Sequence, residues 1–534
     1  MNKLYLIIIF ILSFFVRIYS YNSIPLLWDE AALGYNAYSI VHTGKDEYGQ
    51  FLPLIFKSFG DFKPGFYVYL TLPFVALFGL NPLTVRLPSI LLGSILPIVL
   101  FLLAKLTTKN SKFAYLTSLL LCFNPINIHF SRGAWETNIL TFELVLASYF
   151  AYKYFSSSKN IFLLLTSIVF GFSLYTYQAA KLISLLLIIS LIISNFSKIT
   201  LTNIKKYFIF FILPLLLFSI PIIYGLLFSK DGNRLQVVSL LSYPRSETET
   251  QQIISESNQL DYSLFHSQPI FFVRNLLSRY FNNFSPKYLT FQGDWQNLRH
   301  SAPYVGILLF PSIIFFLIGI FNKNPKNHLF FYLWLIIAPI PAALTRDSIT
   351  AVRAMSLSIP LIYFTSLGLD SFISKLPKLF IPLSIFIYSL SFFYYSDLYL
   401  NHLVKKDPMQ FLYGYQQVMN FVNANQSKYQ TINITNFYGQ PYIFYLFFSG
   451  YPPADYQKQA KLSLNSVDTG SVDSIDKITF QNSDYSKVKN IKNSLTIFSH
   501  DEILRQGIDK SPEFSKFIPL SPINNLSTFY AYLN

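Results

Sequence analysis

Long apolar runs separated by short basic stretches fill roughly the first 400 positions, and beyond them the pattern turns to short alternating segments. As a helix, ~20 residues cover the hydrocarbon core of a bilayer. Eleven segments have that character, approximately 4–21, 84–104, 113–128, 138–152, 160–177, 182–197, 207–228, 302–321, 327–344, 354–370 and 379–396. The pattern predicts an α-helical polytopic membrane protein with about eleven transmembrane helices. Residues 18–22 offer no small-residue cleavage site, so the first segment reads as a retained signal anchor. A further apolar run, 65–80, is bracketed by Pro64 and Pro82 and is too short to span comfortably. It reads as an interfacial or re-entrant helix within the first of two long loops, 22–83 and 229–301. In the tail, 409–425 has helical spacing, while 431–435, 495–499 and 528–533 alternate or are β-branched, as strands are. The expected organisation is a membrane domain, 1–400, followed by a small α/β domain, 401–534.

Composition narrows the class. Hydrophobic residues make up 52% of the chain and charged ones 13%, about half the usual ~25%, which excludes an ordinary soluble fold. The net charge of +15 invites a nucleic-acid reading, but its distribution points to membrane topology. If Met1 is cytoplasmic, the cytoplasmic pieces hold thirteen lysines and no acid: Lys3, Lys105, Lys109, Lys112, Lys153, Lys159, Lys198, Lys205, Lys206, Lys323, Lys326, Lys375 and Lys378. The opposite loops carry nearly all the carboxylates of the membrane domain, among them Asp29, Glu30, Asp46, Glu47, Asp61, Glu136 and Asp347. Eleven crossings then place the tail outside the cell membrane. Cys122, alone in an apolar run, cannot form an intrachain disulfide or a thiolate metal site.

The most informative chemistry is Trp28-Asp29-Glu30, just beyond the outer end of the first helix. Adjacent carboxylates on a helix point about 100° apart and so take different roles. One is suited to accept a proton from an attacking hydroxyl while the other positions substrate; a solvated helix N-terminus carries the same acids. Three further motifs follow in outer loops: Lys63-Pro64-Gly65, Thr84-Val85-Arg86-Leu87-Pro88-Ser89, and Phe130-Ser131-Arg132-Gly133-Ala134-Trp135-Glu136. In their order, spacing and shared side, they resemble the membrane-embedded glycosyltransferases of the C fold (GT-C). The resemblance is to the dolichyl-phosphate-mannose protein mannosyltransferase family (family 39) and the bacterial lipid A aminoarabinose transferases. Gly65 stands where that family has a second proline, which bears on local rigidity but not on the lysine.

The resemblance implies that Lys63 meets a carrier phosphate, that Asp29 is the catalytic base and that Glu136 is a second acid on the acceptor side. A phosphate leaving group keeps its negative charge, so cations should surround it, and Arg132 is placed with Lys63 for that task. Arg86 and Arg353 begin helices at the same interface, as substrate-binding candidates or as snorkelling arginines. Tyr175 and Tyr177 end the fifth helix, where aromatic residues stack on a sugar or form a membrane belt. Asp294-Trp295 has the makings of a pyranose holder or of a surface loop. Glu143, inside a helix, calls for a partner such as Lys181 or a tyrosine. His42, His129 and Asp61 raise a divalent metal, but no close His spacing supports one, so no metal or cofactor is expected.

The expected function is transfer of a hexosyl or pentosyl group, with inversion, from a polyprenyl-phosphate donor to a protein, lipid or glycan hydroxyl at the outer face. The partners are the donor, the acceptor and the bilayer, without nucleic acid. Two rivals differ in chemistry. An oligosaccharyl or O-antigen transferase uses a diphosphate carrier. A transporter or flippase gathers polar residues at the bilayer midplane in repeated halves, whereas here they gather at one face.

Overall fold

The structure, a computed structural model, describes residues 2–228, 238–321, 328–464 and 470–534. Lys323 and Lys326, and residues 229–237 of the second long loop, lie outside them. The chain is a multi-pass α-helical membrane protein. Among the described residues, five helices are long and apolar enough to cross a bilayer: Lys3–Ser23, Pro82–Thr108, Ile204–Gly225, Ala351–Ile373 and Pro377–Lys406. A sixth arises if Ser111–Cys122 and Pro125–Arg132, bent by 54°, make one span. The remaining predicted segments are helical for part or all of their length but do not pass the same test. Asn160–Ser173 and Ala180–Ser194 have 14 and 15 residues, or ~21–23 Å of helix, less than the ~30 Å hydrocarbon core. Length and composition thus identify five or six spans among the described residues, against the eleven expected from the sequence.

The chain divides into two compact units. The first comprises Met1–Arg17, Leu91–Ser131 and Glu136–Leu398. Here the predicted span 302–321 is helical only over Ser312–Ile320. The apolar residues before it are instead laid along the 287–291 segment: the Gly306, Ile307 and Leu308 N–H groups donate to the Thr290, Tyr288 and Leu289 carbonyls at 2.8, 3.2 and 3.0 Å. Leu308, Tyr288 and Leu289 are buried, so this apolar run serves internal packing rather than a lipid-facing helix.

The second unit comprises Ile18–Ile90, Arg132–Trp135 and Tyr399–Asn534. Its central helix, Trp28–Thr43, starts after an extended Leu27 and stops at Gly44, which has φ +69°. It packs against the Phe66–Phe78 helix and against Pro441–Ser449 from the tail. The first of these neighbours is the predicted interfacial run. Between them the chain makes an antiparallel hairpin, Ile55–Ser58 with Asp61–Pro64, that pairs Phe56 with Lys63. The tail builds a six-stranded sheet in the order Ser474–Ile475, Ile478–Thr479, Thr431–Ile434, Ser494–Ser499, Phe529–Leu533, Phe517–Pro519. Thr431–Ile434 runs parallel to both of its neighbours, and the other pairings are antiparallel. All three predicted strands are present in it. The helix expected from Met409 begins at Tyr415, because Gly414 sits at φ +105° with Thr528 and Ser521 hydroxyls where a Cβ would go. No side chain fits there, so the chain turns before the helix starts.

Candidate active site

Asp29 and Glu30 occupy the first turn of the Trp28–Thr43 helix, and as expected they face different partners. Asp29 forms an ion pair with Lys63. Its side chain keeps 40% of its exposure and that of Lys63 keeps 20%, so the pair stays open to a ligand. Lys63 is presented by the second strand of the hairpin, with its ammonium 5.7 Å from the centre of the Phe59 ring. The residue type at 65 follows from this hairpin. A Cβ on Gly65 would lie 2.3 Å from the Phe56 ring, and the Gly65 N–H donates to the Leu54 carbonyl at 3.0 Å. A proline there would clash with the ring and lose the donor.

Glu30 is buried, 3% exposed, and so is Arg86, 1% exposed. The guanidinium donates from Nε to Glu30 Oε1 at 2.8 Å and from Nη2 to Oε2 at 2.6 Å. Its remaining donors reach the carbonyls of Tyr21, Ile24 and Pro25 at 2.7, 3.0 and 3.0 Å. All five guanidinium donors are thereby engaged. Glu30 in turn also accepts from the Leu27 N–H at 3.0 Å and the Ala134 N–H at 2.7 Å, which fills both oxygens. This clasp gathers the 21–27 segment, the helix start and the 132–135 segment around one carboxylate. Arg132, 4% exposed, donates to the Ser20 carbonyl at 2.6 Å and lies 5.0 Å above the Tyr399 ring. Asp29, Glu30, Lys63, Arg86 and Arg132 are thus brought into one compact unit.

Glu136, Tyr175, Tyr177 and Arg353 belong to the other. Glu136 opens the Glu136–Ser157 helix. The Tyr175 hydroxyl donates to the Phe218 carbonyl at 2.6 Å, Tyr177 lies two residues on in the link to the Ala180–Ser194 helix, and Arg353 pairs with Asp347 at 2.6 Å. Glu143 accepts from Thr176 Oγ1 at 3.0 Å. Asp294 faces inward, contrary to a role as sugar acceptor. Its carboxylate takes the Gln296, Asn297 and Ala351 N–H groups and lies 2.8 Å from His300 Nδ1, so it builds the loop. Trp295 carries the Lys287 ammonium 4.3 Å from its ring centre. Among the described residues, no three His, Cys, Asp or Glu side chains converge as a metal site.

Sequence reasoning passed over Glu47, counting it only as an outer-loop acid. It is fully buried. Asn36, about two helical turns on from the acidic pair, clamps it twice: Asn36 Nδ2 donates to Glu47 Oε1, and the Glu47 N–H donates to Asn36 Oδ1, each at 3.0 Å. Burial pushes its carboxyl up to about 8, against the opposing hydrogen bond from Asn36. Nearby, the Tyr48 and Tyr442 hydroxyls are 3.3 Å apart, and Gln457 donates to Ser39, Thr43 and the Asp46 carbonyl at 3.1, 3.1 and 2.9 Å. The helix that carries Asp29 is therefore fixed from the tail as well. A polar loop of 45–50 gives no sign of this burial, since the covering residues come from some 400 positions away in the chain.

Residues 7–230 match the dolichyl-phosphate-mannose-protein mannosyltransferase family. That stretch holds all four motifs on which the resemblance rests, so the resemblance is borne out. Among curated proteins, no match to the sequence is found. Among solved structures, the chain is similar to ArnT from Cupriavidus metallidurans in the apo state, with a TM-score of 0.57 at 12% identity, over 99% of this chain and 97% of that one. The same protein bound to undecaprenyl phosphate gives a TM-score of 0.55 at the same identity and coverage. The fold is that of the C-type membrane glycosyltransferases, carried over nearly the whole chain.

Proposed function

We propose that this chain, with its C-type glycosyltransferase fold, transfers a sugar from a polyprenyl-phosphate donor to a hydroxyl on a protein, lipid or glycan. The observation that carries the reading is the half-open Asp29–Lys63 pair at the start of the Trp28–Thr43 helix. An aspartate paired with an ammonium is a weak base. An arriving phosphate competes for Lys63, and as it draws the ammonium away, Asp29 gains basicity and accepts a proton. Donor binding and base activation become one event.

The acceptor hydroxyl then attacks the anomeric carbon on the face opposite the phosphate. A new C–O bond forms, the old bond breaks with its electron pair going to the phosphate oxygen, and the hydroxyl proton passes to Asp29. The configuration inverts. Lys63 and Arg132 hold the charge left on the carrier phosphate. Arg86 and Glu30 act one step back: their donors and acceptors are engaged in the clasp, so they set the position of Asp29. Tyr175, Tyr177 and Arg353 stay as substrate-binding candidates, and Glu136 keeps the acceptor-side role suggested by its motif. The orientation that fits is a cytoplasmic N-terminus with the tail outside, in line with the lysine distribution. ArnT, whose structure holds undecaprenyl phosphate, is the precedent for the carrier class.

The test is donor use by the purified chain in lipid. Lys63→Ala should weaken use of a polyprenyl-phosphate sugar by roughly 2–3 kcal/mol, the loss of a charge-assisted hydrogen bond, and a nucleotide sugar should not replace the donor. Efficient turnover on a nucleotide sugar alone contradicts the reading.

A further inference from the structure

The first unit contains a cavity of about 240 Å³ with no assigned role, partly open to the outside. That is below the ~300–1,000 Å³ of pockets that enclose a whole drug-sized ligand, and leaves room for part of one hydrocarbon chain. Its walls are apolar and include Tyr154, Phe155, Leu163, Ile192, Ile199 and Tyr207. These positions belong to the end of the Glu136–Ser157 helix, the start of Asn160–Ser173, the end of Ala180–Ser194 and the segment that follows. The cavity therefore sits at one end of the helices rather than at mid-span.

That end carries Lys153, Lys159, Lys198, Lys205 and Lys206, and no acid occurs in 153–159 or 195–207. Several of these lysines adjoin lining residues in the chain. Lys198 precedes the lining residue Ile199, and its ammonium lies 5.9 Å from the ring centre of the lining residue Phe155. Lys206 precedes Tyr207, whose ring meets that of Tyr154 edge-on at 6.2 Å. Lys159, Lys198, Lys205 and Lys206 are exposed. An apolar hole rimmed by cations matches a hydrocarbon tail joined to an anionic head. Lys63 and Arg132, the residues proposed to hold the carrier phosphate, belong to the other compact unit and do not line the cavity.

We propose that this cavity binds one anionic glycerophospholipid from the leaflet on the lysine-rich side, with part of an acyl tail inside and the phosphate among Lys198, Lys205 and Lys206. Such a lipid covers apolar surface between helices that are short for the bilayer and fixes their lysine-bearing ends. The inference rests on the cavity and its rim and stands apart from the transfer chemistry.

The test uses the full chain in nanodiscs of equal phosphatidylglycerol and phosphatidylcholine, with native mass spectrometry reading the lipids retained on release. The wild-type chain should keep one phosphatidylglycerol in preference to phosphatidylcholine. The variant Lys198→Gln/Lys205→Gln/Lys206→Gln should lose that preference by on the order of 5-fold per lysine. Leu163→Trp, which fills the cavity, should lose the retained lipid; Ile192→Trp does the same from a position already 43% exposed, where a larger side chain leaves folding intact, as thermal unfolding checks. Equal retention of the two lipids by the wild-type chain, or retention untouched in both tryptophan variants, overturns the proposal. So does displacement of the bound lipid by equimolar undecaprenyl phosphate, which would make the cavity a carrier site.

Discussion

At the scale of single residues, Asp29 and Glu30 adjoin in sequence and diverge in environment, one half-open against Lys63 and the other buried against Arg86. Removing one partner of a buried pair leaves an uncompensated charge and typically costs about 3–5 kcal/mol, so the clasp matters for the shape of the site before it matters for any ligand. Glu47 offers a cleaner probe of how the helix is held. Below its ordinary value of 4.5 it is protonated in folded and unfolded chains alike; from there to about 8 only the unfolded chain ionises. Stability should therefore fall as pH rises through that window, by up to about 1.4 kcal/mol per pH unit, and level off above it. Glu47→Gln should flatten this slope, unfolding at a higher temperature than the wild-type chain at pH 8 and at a similar one at pH 4.5. Equal pH slopes for the two chains would mean that the carboxyl is not buried in neutral form. The acidic pair was legible in the sequence because it sits in a motif, whereas the burial of Glu47 and Arg86 was not, because it depends on partners distant in the chain.

At the scale of elements, the hairpin and the two helices beside it show why one departure from the family pattern is tolerated. Gly65 leaves room for the Phe56 ring, and its N–H joins the chain back to Leu54. Gly65→Ala should push that ring aside, costing about 1–3 kcal/mol of stability as overpacked sites do, and should shift Lys63, which pairs with Phe56 across the hairpin. Thermal unfolding together with donor affinity checks both; an unchanged melting temperature would show that the ring gives way freely. Helices and strands with plain periodicity were read correctly in kind. The errors lie where apolar content was taken for a membrane span, as at 302–311, whose residues pack on 287–291, and where a glycine in a turn delayed a helix, as at Gly414. Hydropathy reports that a residue avoids water, not whether lipid or protein covers it.

At the scale of the whole molecule, the distribution of lysines carried more information than any motif, since it suggested both a membrane body and its orientation. A reporter active only outside the cytoplasm should work when fused after Asn534 and stay silent after Lys206; the reverse would remove the outward site. The units were less legible, because the first long loop and the tail, far apart in the chain, fold together as one body around the Trp28–Thr43 helix. Glycosyl transfer with Asp29 as base is the central claim, and single-turnover transfer from a polyprenyl-phosphate sugar by Asp29→Asn in lipid tests it most directly. The rate should fall by the ~10²–10⁴ typical of general-base loss. Donor affinity should hold or tighten, because Lys63 no longer has a carboxylate to leave. A near-normal rate in Asp29→Asn, with the variant folded, would contradict the account.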